Sequence, residues 1–353
     1  MKIRFTTFLV TLSIAAASTS AQRVFNVEND VVARYLAETC YDTDRYDTTT
    51  VKSYMQIPTD YTKDKPRQFT ITLSDSHSRV IVSDDSTFGS TARIFAPDSC
   101  GIATLSNLIP QRTYYYRIID NDGNITATDS IRTTGTVRMI DADGIHNVRD
   151  LGGWKTTSGK TVRYGLLFRG TEFDGNHNIH ITPRGMSTVR DKLGIRAEID
   201  LRADAEIGGK YYSALGSDVK YYNFPIMGYF CIINEVMIND IFHALLDNLR
   251  NNRPTYFHCY GGADRTGSVA LLVLGVLGVD ENSISKDYEL TSFSFVNLRA
   301  RNNVDTKHGD FATMMRHIKL LPGDNLEEKF RNYLIHTGVS ESEIEEFKRI
   351  MLF

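Results

Sequence analysis

A short apolar segment, a glycine-rich loop and a longer apolar segment follow one another between residues 255 and 277. Residues 255–259 have the length and composition of a buried strand, and residues 268–277 are apolar all round, which is typical of a buried helix. Further strand patterns alternate with helical patterns from about residue 137 onward. This alternation predicts an α/β layer fold in which helices flank a largely parallel sheet.

Helix boundary signals support this prediction at three places. Thr182 and Pro183 form an N-cap and first-turn pair, and the apolar residues after them have helical spacing. Residues 238–249 place their apolar side chains on one face of a second helix. Residues 340–343 form a capping box that opens a last amphipathic helix. We therefore assign residues 137–353 to one α/β domain.

The start of the chain has the features of an export signal. Residues 1–21 combine Lys2 and Arg4 with an apolar stretch too short to span a bilayer and a small-residue cleavage site. Residues 22–48 are polar and are interpreted as a linker or lead-in. We therefore expect an exported protein, periplasmic or secreted, without a transmembrane segment.

Residues 49–136 carry short β-branched runs separated by Ser, Asp and Gly turns, as expected of an all-β sandwich domain. Tyr114 follows the Leu-Ile-Pro sequence at 108–110, and this arrangement resembles the tyrosine corner of fibronectin type III modules. The resemblance implies a β-sandwich module before the α/β domain. No catalytic constellation falls within it, so we interpret it as a module that binds a protein or surface partner.

The charge balance excludes several classes of protein. The 353 residues include 40 Lys and Arg and 43 Asp and Glu, a formal balance of 40 − 43 = −3. Proteins that bind nucleic acid or anionic membranes by general attraction need a surplus of Lys and Arg. Any anion site must therefore be local, and the glycine-rich loop is the candidate.

The four cysteines form no CxxC pair and no His/Cys cluster at ligand spacing, which leaves zinc and thioredoxin-type chemistry unsupported. In an oxidising compartment Cys40 could pair with Cys100, although the sequence does not fix the pairing. Cys231 is interpreted as a buried, inert thiol, with a reversible disulfide to Cys259 as the alternative.

The loop between the buried strand and the buried helix has the composition of an anion-binding nest. Five residues separate Cys259 from Arg265, and such a loop can curl so that successive backbone amides point inward at the helix N-terminus. Gly261 and Gly262 permit that curl. Helix N-termini and nearby cations lower cysteine pKa values from about 8.5 to about 3.5–7.5, and the resulting thiolate is a nucleophile. Arg265 offers a planar fork for two phosphate oxygens.

These residues resemble a known family. Residues 258–267 are similar to the signature loop of cysteine-dependent tyrosine and dual-specificity phosphatases. Residues 147–153 with 165–169, and residues 199–206, resemble segments of the bacterial tyrosine phosphatases related to the secreted mycobacterial phosphatase and its lipid-active relatives. The resemblance runs in family order through most of the α/β domain and implies a tyrosine-phosphatase-like fold.

The resemblance implies a role for each residue of the loop. Cys259 would be the nucleophile and Arg265 the phosphate-binding arginine. His258 would support the loop and the thiolate, and the Thr266 hydroxyl would assist thiolate departure. The implied phosphate-binding residues are Tyr260, Gly261, Gly262, Ala263, Asp264 and Arg265. Because positioning and charge stabilisation dominate phosphoryl transfer, we expect no metal and no organic cofactor.

The general acid has more than one candidate. In this narrower family an Asp inside the loop, here Asp264, is the implied proton donor for the leaving group. Better-known tyrosine phosphatases use an Asp on a separate loop, and the corresponding residues 222–228 contain no carboxylate. Asp200 and Asp204 remain alternatives, since the sequence does not show which carboxylate reaches a leaving group.

Charged side chains around the loop bear on the substrate. Many relatives carry a lysine where Ala263 stands, and its absence favours phosphotyrosine on proteins over phosphoinositides or inositol phosphates. A non-catalytic phosphate-binding protein is a third, less supported interpretation. Arg169 and Arg202 are interpreted as ion-pair partners of nearby carboxylates, with a place in the phosphate pocket as the alternative. The carboxylates considered are Asp150, Asp200 and Glu206.

Overall fold

The computed structural model describes residues 22–38, 49–59, 63–175, 179–227, 230–302 and 310–353. The predicted export signal and Cys40 lie outside these residues. Among the helices of the described residues, none is long and apolar enough to cross a membrane.

The strands of the described residues are β1 (Arg23–Asn26), β2 (Phe69–Thr72), β3 (Arg79–Ser83), β4 (Arg93–Phe95), β5 (Ile102–Leu105), β6 (Thr113–Ile119), β7 (Ile125–Thr134), β8 (Arg149–Asp150), β9 (Leu167–Gly170), β10 (Ala197–Asp200), β11 (Lys220–Asn223) and β12 (Thr255–His258). The α-helices are α1 (Asp30–Ala37), α2 (Thr49–Met55), α3 (Pro183–Met186), α4 (Asp204–Ile207), α5 (Phe230–Ile233), α6 (Ile238–Arg250), α7 (Asp264–Val276), α8 (Glu281–Glu289), α9 (Phe311–Lys319), α10 (Leu326–His336) and α11 (Glu341–Met351). A π-helix (Ser187–Lys192) continues α3, and a 3-10 helix (Leu290–Phe293) continues α8.

A five-stranded sheet in the order β11-β10-β12-β9-β8 organises the second half of the chain. Its first four strands are parallel, and β8 pairs with β9 in the antiparallel sense. His258, the last residue of β12, is in register with Asp200 and Gly170 at the ends of the two neighbouring strands. Because ligands of parallel α/β sheets bind at the carboxyl ends of the strands, this register places the loop after His258 at the expected edge.

Side chains on the two faces of this sheet enter different cores. Phe257 belongs to the large hydrophobic cluster that includes α6 and α7, whereas its neighbour Tyr256 belongs to a second cluster on the other face. Successive side chains of a strand point to opposite faces, so both sides of β12 are covered. Each fully buried side chain of this size contributes about 1.5–3 kcal/mol to folding. A largely parallel sheet with both faces covered agrees with the α/β layer fold predicted for this domain.

Strands from the first part of the chain form two further sheets. One has the order β1-β7-β6-β3-β4, and the other pairs β2 with β5. Val80 and Ile131 of the first sheet and Leu105 of the second belong to one buried hydrophobic cluster. The hydroxyl of Tyr114 accepts a hydrogen bond of 2.9 Å from the backbone amide of Ile109, the kind of contact that a tyrosine corner makes.

Two expectations for the first part of the chain are corrected. Residues 22–48 include strand β1, which pairs in parallel with β7, and helix α1, so they are more than a lead-in. Residues 49–55 form helix α2 rather than β structure. The two helices bury Val32, Tyr35 and Val51 in the core of the α/β half. Helices this short are marginal in isolation, so their apolar face is stabilised by packing that local composition does not reveal.

The predicted helix boundaries are largely confirmed. The Thr182 side chain accepts the amide of Gly185 at 3.1 Å, and Pro183 is the first residue of α3. That helix continues as a π-helix, which the apolar spacing did not predict. Ser340 and Glu343 make both hydrogen bonds of the capping box at the start of α11.

Candidate active site

The glycine-rich loop joins β12 to α7. His258 ends the strand and Asp264 begins the helix, so residues 259–263 form the connection. Cys259 is only 3% exposed, and it lines a cavity of about 380 Å³. The fold therefore brings together the predicted nucleophile and loop. Other residues that line the cavity include Tyr260, Asp264, Arg265, Phe295 and Arg299.

Four successive carbonyl groups of the loop accept hydrogen bonds from buried donors. The backbone amide of Glu172 donates to Tyr260 O at 3.1 Å. The side-chain amide of Asn147 donates to Gly261 O at 3.0 Å and Gly262 O at 3.1 Å. Arg169 Nη2 donates to Gly262 O at 2.8 Å and Ala263 O at 3.2 Å. Glu172, Asn147 and Arg169 are each at most 1% exposed, so these contacts are protected from water.

The carbonyl contacts orient the backbone amides of the loop. In a trans peptide the N–H points away from the C=O of the same peptide, so the amides of residues 261–264 point away from the buried donors. Gly262 has a φ of +64°, and a Cβ at this position would lie 2.2 Å from Gly170 O. Only glycine satisfies both conditions. The loop and the N-terminus of α7 thus have the arrangement of backbone amides that is typical of anion-binding nests.

Buried ion pairs fix the arginine that holds the loop. Asp287 accepts from Arg149 Nε at 3.0 Å and from Arg169 Nη1 at 2.5 Å, and all three side chains are at most 2% exposed. Burial alone would raise the pKa of Asp287, but the two guanidinium groups hold it below its ordinary value. Burial and the neighbouring Arg169 lower the pKa of Arg149 to about 10, which keeps it charged at neutral pH. Asp287 therefore anchors Arg169 under the loop.

Glu206 orients Arg265 at the cavity. Arg265 Nη1 and Nη2 donate to Glu206 Oε2 at 2.5 Å and Oε1 at 2.8 Å, a bidentate pair. Cys259 lines the same cavity as Arg265 and interacts with it electrostatically. Burial alone would lower the pKa of Arg265, but Glu206 and Cys259 raise it above the ordinary value. Glu206 takes two of the five guanidinium donors and fixes the plane of the guanidinium group at the cavity.

His258 is buried between two carboxylates. Its Nε2 lies 2.9 Å from Glu198 Oε1, and its Nδ1 lies 3.2 Å from the carbonyl oxygen of Cys259 and 4.0 Å from Asp200 Oδ1. Burial alone would lower the pKa of His258, but Asp200 and Glu198 raise it above 6.5. A protonated ring beside Cys259 favours a negative charge on the loop.

The same three side chains have the spacing of a metal site. Ligand atoms of Glu198, Asp200 and His258 lie within 4.8 Å of one another. Each carboxylate has further donors, since Asp200 accepts from Arg202 at 2.6 Å and Glu198 accepts from Ser213. We therefore assign this group to positioning His258.

Glu198→Gln is expected to weaken the pH dependence of folding stability. A histidine whose pKa is raised on folding stabilises fully below its unfolded value of 6.5, and this contribution is lost as the pH rises through the folded pKa. The free energy of unfolding in urea should therefore fall between about pH 6 and about pH 9, and it should fall less in the variant than in the wild type. Each unit by which Glu198 raises the pKa of His258 corresponds to about 1.4 kcal/mol. Glu235→Gln, which removes an exposed partner of His336, is the control. Equal losses in wild type and Glu198→Gln would contradict the assignment.

Asp264 lies at the cavity and is paired with an arginine from outside the loop. Its Oδ1 accepts from Arg299 Nε at 2.9 Å and its Oδ2 from Arg299 Nη2 at 3.0 Å. The hydroxyl of Tyr288 also donates to Oδ1 at 3.4 Å. The carboxylate lines the same cavity as Cys259 and its side chain is 40% exposed, so it can reach a bound molecule.

The alternative acids are placed less favourably. Asp200 is fully buried; burial alone would raise its pKa, but His258 and Arg202 hold it below the ordinary value. Asp204 begins α4, accepts from the hydroxyl of Tyr211 and is absent from the residues that line the described cavity. Geometry therefore favours Asp264 among the three.

The remaining predicted residues are placed as follows. Thr266 is fully buried, and its hydroxyl has no hydrogen-bond partner among the described residues. Cys231 Sγ lies 3.4 Å from Ser268 Oγ, and burial raises the pKa of its thiol to about 11, which keeps it protonated. Cys100 is exposed and forms no disulfide among the described residues, and its predicted partner Cys40 lies outside them.

Several supporting residues were assigned wrongly or not at all from sequence. Arg202 pairs with Asp200 as predicted, but Arg169 pairs with Asp287. Asp150 pairs instead with Arg138, and Glu206 pairs with Arg265. Asn147 and Arg169 lie in segments of family resemblance, which was the available signal. Asp287, Glu198 and Arg299 lie outside the segments of family resemblance, and no local pattern marks them.

Comparison with known proteins shows the family of the second half of the chain. A model of the tyrosine phosphatase family matches residues 140–353, which is more than half of the chain. The protein belongs to the tyrosine phosphatase family, whose members are phosphatase hydrolases.

Individual relatives are distant or matched over short segments. The chain is 42% identical over 59 residues to the triple specificity protein phosphatase PtpB of Mycobacterium tuberculosis, covering 17% of this chain and 21% of that protein. It is 25% identical over 171 residues to a candidate tyrosine-protein phosphatase of Cupriavidus necator, covering 41% of this chain and 60% of that protein. The matches thus span less than two thirds of both relatives. The crystal structure of TpbA from P. aeruginosa shares 15% identity over 54% of this chain and 89% of that one, with a TM-score of 0.28.

Proposed function

We propose that this protein hydrolyses phosphate monoesters through a phosphocysteine intermediate. The observation that carries the proposal is the row of four loop carbonyls held by buried donors, because it turns the amides of residues 261–264 away from those donors, as binding of an anion requires. Cys259 and Arg265 line the cavity beside those amides. A phosphate bound there would contact the amides and the guanidinium through its oxygens, with the sulfur next to phosphorus.

The proposed reaction has two displacements at phosphorus. The Cys259 thiolate forms a P–S bond while the bond to the leaving oxygen breaks, and Asp264 donates a proton to that oxygen. Water then forms a P–O bond, Asp264 accepts its proton, and the sulfur leaves as thiolate with the Thr266 hydroxyl as hydrogen-bond donor. The amides and Arg265 stabilise the charge on the equatorial oxygens in both steps. The amides and Arg265 supply the charge stabilisation that the scheme needs, so it includes neither a metal nor an organic cofactor.

Phosphotyrosine on proteins is the substrate that the cavity supports best. Tyr260, Phe295 and Val296 line it next to Cys259. The Tyr260 and Phe295 rings meet edge to face with centroids 6.3 Å apart, and Phe295 is 44% exposed. An apolar wall of this kind fits a flat phenyl ring and has less to offer a hydroxylated inositol ring.

Phe295→Ala is expected to raise KM for aryl phosphates selectively. An aromatic pair contributes about 0.5–1.5 kcal/mol beyond its buried area, so KM for a phosphotyrosine peptide should rise by about 2- to 10-fold. The KM for a small alkyl phosphate should change little. Phe353→Ala, which removes a 61% exposed ring stacked on Arg163, is the matched control. An equal rise for both substrate types would argue against an aryl-binding wall.

Phosphoinositides or inositol phosphates are the alternative substrates. Arg299 lines the cavity and supplies a cation that Ala263 does not, although Asp264 engages it bidentately. PtpB, one relative, is named a triple specificity phosphatase. The deciding measurement is phosphate release from phosphotyrosine, phosphoserine and inositol polyphosphates, with and without reductant. Much faster release from the inositol polyphosphates would reverse the ranking.

Export and the role of the first two sheets complete the proposal. The sequence of residues 1–21 favours export, and mass measurement of protein expressed with this segment should show its removal. We further propose that the sheets sharing the Val80 and Leu105 cluster are a fibronectin type III-like sandwich that docks a protein or surface partner. The Tyr114 contact with Ile109 supports that assignment.

A further inference from the structure

A buried carboxylate connects the chain ahead of residue 140 to the catalytic loop. Asp64 is 1% exposed, and its Oδ2 accepts the backbone amide of Asn147 at 2.9 Å. The side-chain amide of Asn147 donates to Gly261 O and Gly262 O. A single residue therefore separates Asp64 from the carbonyls that set the direction of the loop amides.

Asp64 is itself held by the first helix. Asn29 Nδ2 donates to Lys63 O at 2.8 Å and to Lys65 O at 2.7 Å, the carbonyls on either side of Asp64. Asn29 Oδ1 at the same time caps the N-terminus of α1. The clamp on residues 63–65 and the start of α1 thus depend on one side chain.

Helix α1 is fixed to the helix that carries Asp287. The hydroxyl of Tyr35 donates to Glu289 Oε2 on α8 at 2.5 Å, and both side chains are buried. Lys286 of α8 donates to the carbonyl of Leu36 at 2.7 Å. The element that positions Asp64 and the element that anchors Arg169 are therefore joined directly.

Asp64 also stabilises the backbone conformation of Asn147 and the charge of the neighbouring Arg149. Asn147 has a φ of +55°, a left-handed conformation that a non-glycine residue keeps when its surroundings hold it. Its Oδ1 accepts from Arg149 Nη1 at 2.6 Å. Two buried arginines, Arg149 and Arg169, share the carboxylate of Asp287. The negative charge of Asp64 further favours the protonated form of Arg149. One carboxylate thus fixes the Asn147 backbone and helps balance the charge beside its side chain.

We propose that Asp64 is a positioning residue for the phosphate loop, acting through Asn147. Residues 29–38 and 63–65, which lie outside the family match, then contribute to positioning the catalytic loop. Only the kinetic part of the test depends on the proposed function. Phosphate binding by the loop can be measured without turnover.

The test uses Asp64→Ala and Asp64→Asn in the full chain. Inorganic phosphate is titrated as a protectant of Cys259 against iodoacetamide, followed on the Cys259 peptide by mass spectrometry, and kcat and KM are measured with an aryl phosphate. In Asp64→Ala the protecting phosphate concentration should rise and kcat should fall, each by about 10-fold, because misplacement of positioned groups is costly. Asp64→Asn keeps an acceptor for the Asn147 amide and should recover to within about 3-fold of wild type.

Glu28→Ala is the matched control. Glu28 is 6% exposed, and its Oε1 accepts the amides of Thr136 and Val137 at 2.7 and 2.8 Å, the same kind of contact away from the loop. It should lower the melting temperature and leave phosphate protection unchanged. Wild-type protection in a folded Asp64→Ala, or an equal loss in Glu28→Ala, would overturn the proposal.

Asn29→Ala keeps the proposal testable if Asp64→Ala does not fold. It removes both hydrogen bonds to residues 63 and 65 while Asp64 remains. Phosphate protection should weaken by about 3-fold, less than in Asp64→Ala, because the carboxylate that contacts Asn147 is still present. Unchanged protection in this variant would count against the proposal. If the wild type binds phosphate but turns over no aryl phosphate, the proposed function is refuted. The role of Asp64 is then decided by the phosphate protection assay alone.

Discussion

Turnover of an aryl phosphate should fall by at least about 10⁴-fold in Cys259→Ser, because loss of a nucleophile removes most of an enzyme's rate enhancement. A serine hydroxyl stays protonated at neutral pH and is a poor nucleophile without an adjacent base. Binding of inorganic phosphate should persist within a few-fold, since the loop amides and Arg265 supply the contacts. Steady-state kinetics and a phosphate titration under reducing conditions separate the two effects.

Cys231→Ser is the matched control for this prediction. Cys231 is buried against Ser268 and burial raises the pKa of its thiol, so its replacement should leave kcat and KM near the wild-type values. Full activity in Cys259→Ser would refute the phosphocysteine mechanism. A wild type without turnover, but with phosphate binding, would instead favour a phosphate-binding protein.

Elements that carry their own local pattern were predictable. Every residue of strand β12 is buried, and so are residues 266–276 of helix α7, as the composition of residues 255–259 and 268–277 indicated. Thr182 and Ser340 cap their helices through contacts with residues three positions away. The loop between Cys259 and Arg265 was predictable for the same reason, because its length and its glycines determine which backbone conformations it can adopt.

Elements that depend on distant partners were not predictable. Helix α1 has eight residues, and what stabilises it is the core of a domain that begins more than a hundred residues later. Arg169 could be assigned to any nearby carboxylate, whereas its partner Asp287 is 118 positions away. Glu206 and Arg265 are separated by 59 positions. Local charge patterns identify such residues as candidates for ion pairs, and only the packing of strands and helices selects the partners.

Asp287→Ala should lower the free energy of unfolding by about 3–5 kcal/mol, the usual effect of removing one partner of a buried ion pair. Arg149 and Arg169 are fully buried, and the variant would leave both guanidinium groups without their shared carboxylate. That loss is a large part of the stability of a typical domain, about 5–15 kcal/mol. Folded molecules of the variant should also bind phosphate more weakly, because Arg169 would no longer be anchored under Gly262 and Ala263.

Glu281→Ala provides the comparison on the same helix. Glu281 pairs with Lys319 at 2.6 Å, but both side chains are partly exposed, so its loss should cost only about 0–1 kcal/mol and leave phosphate binding intact. Denaturant unfolding of wild type and both variants, with phosphate protection of Cys259 measured in parallel, tests both expectations. A folded Asp287→Ala with the stability of Glu281→Ala would show that other groups stabilise the two arginines. Unchanged phosphate protection in that variant would show that Arg169 does not depend on Asp287 to hold the loop.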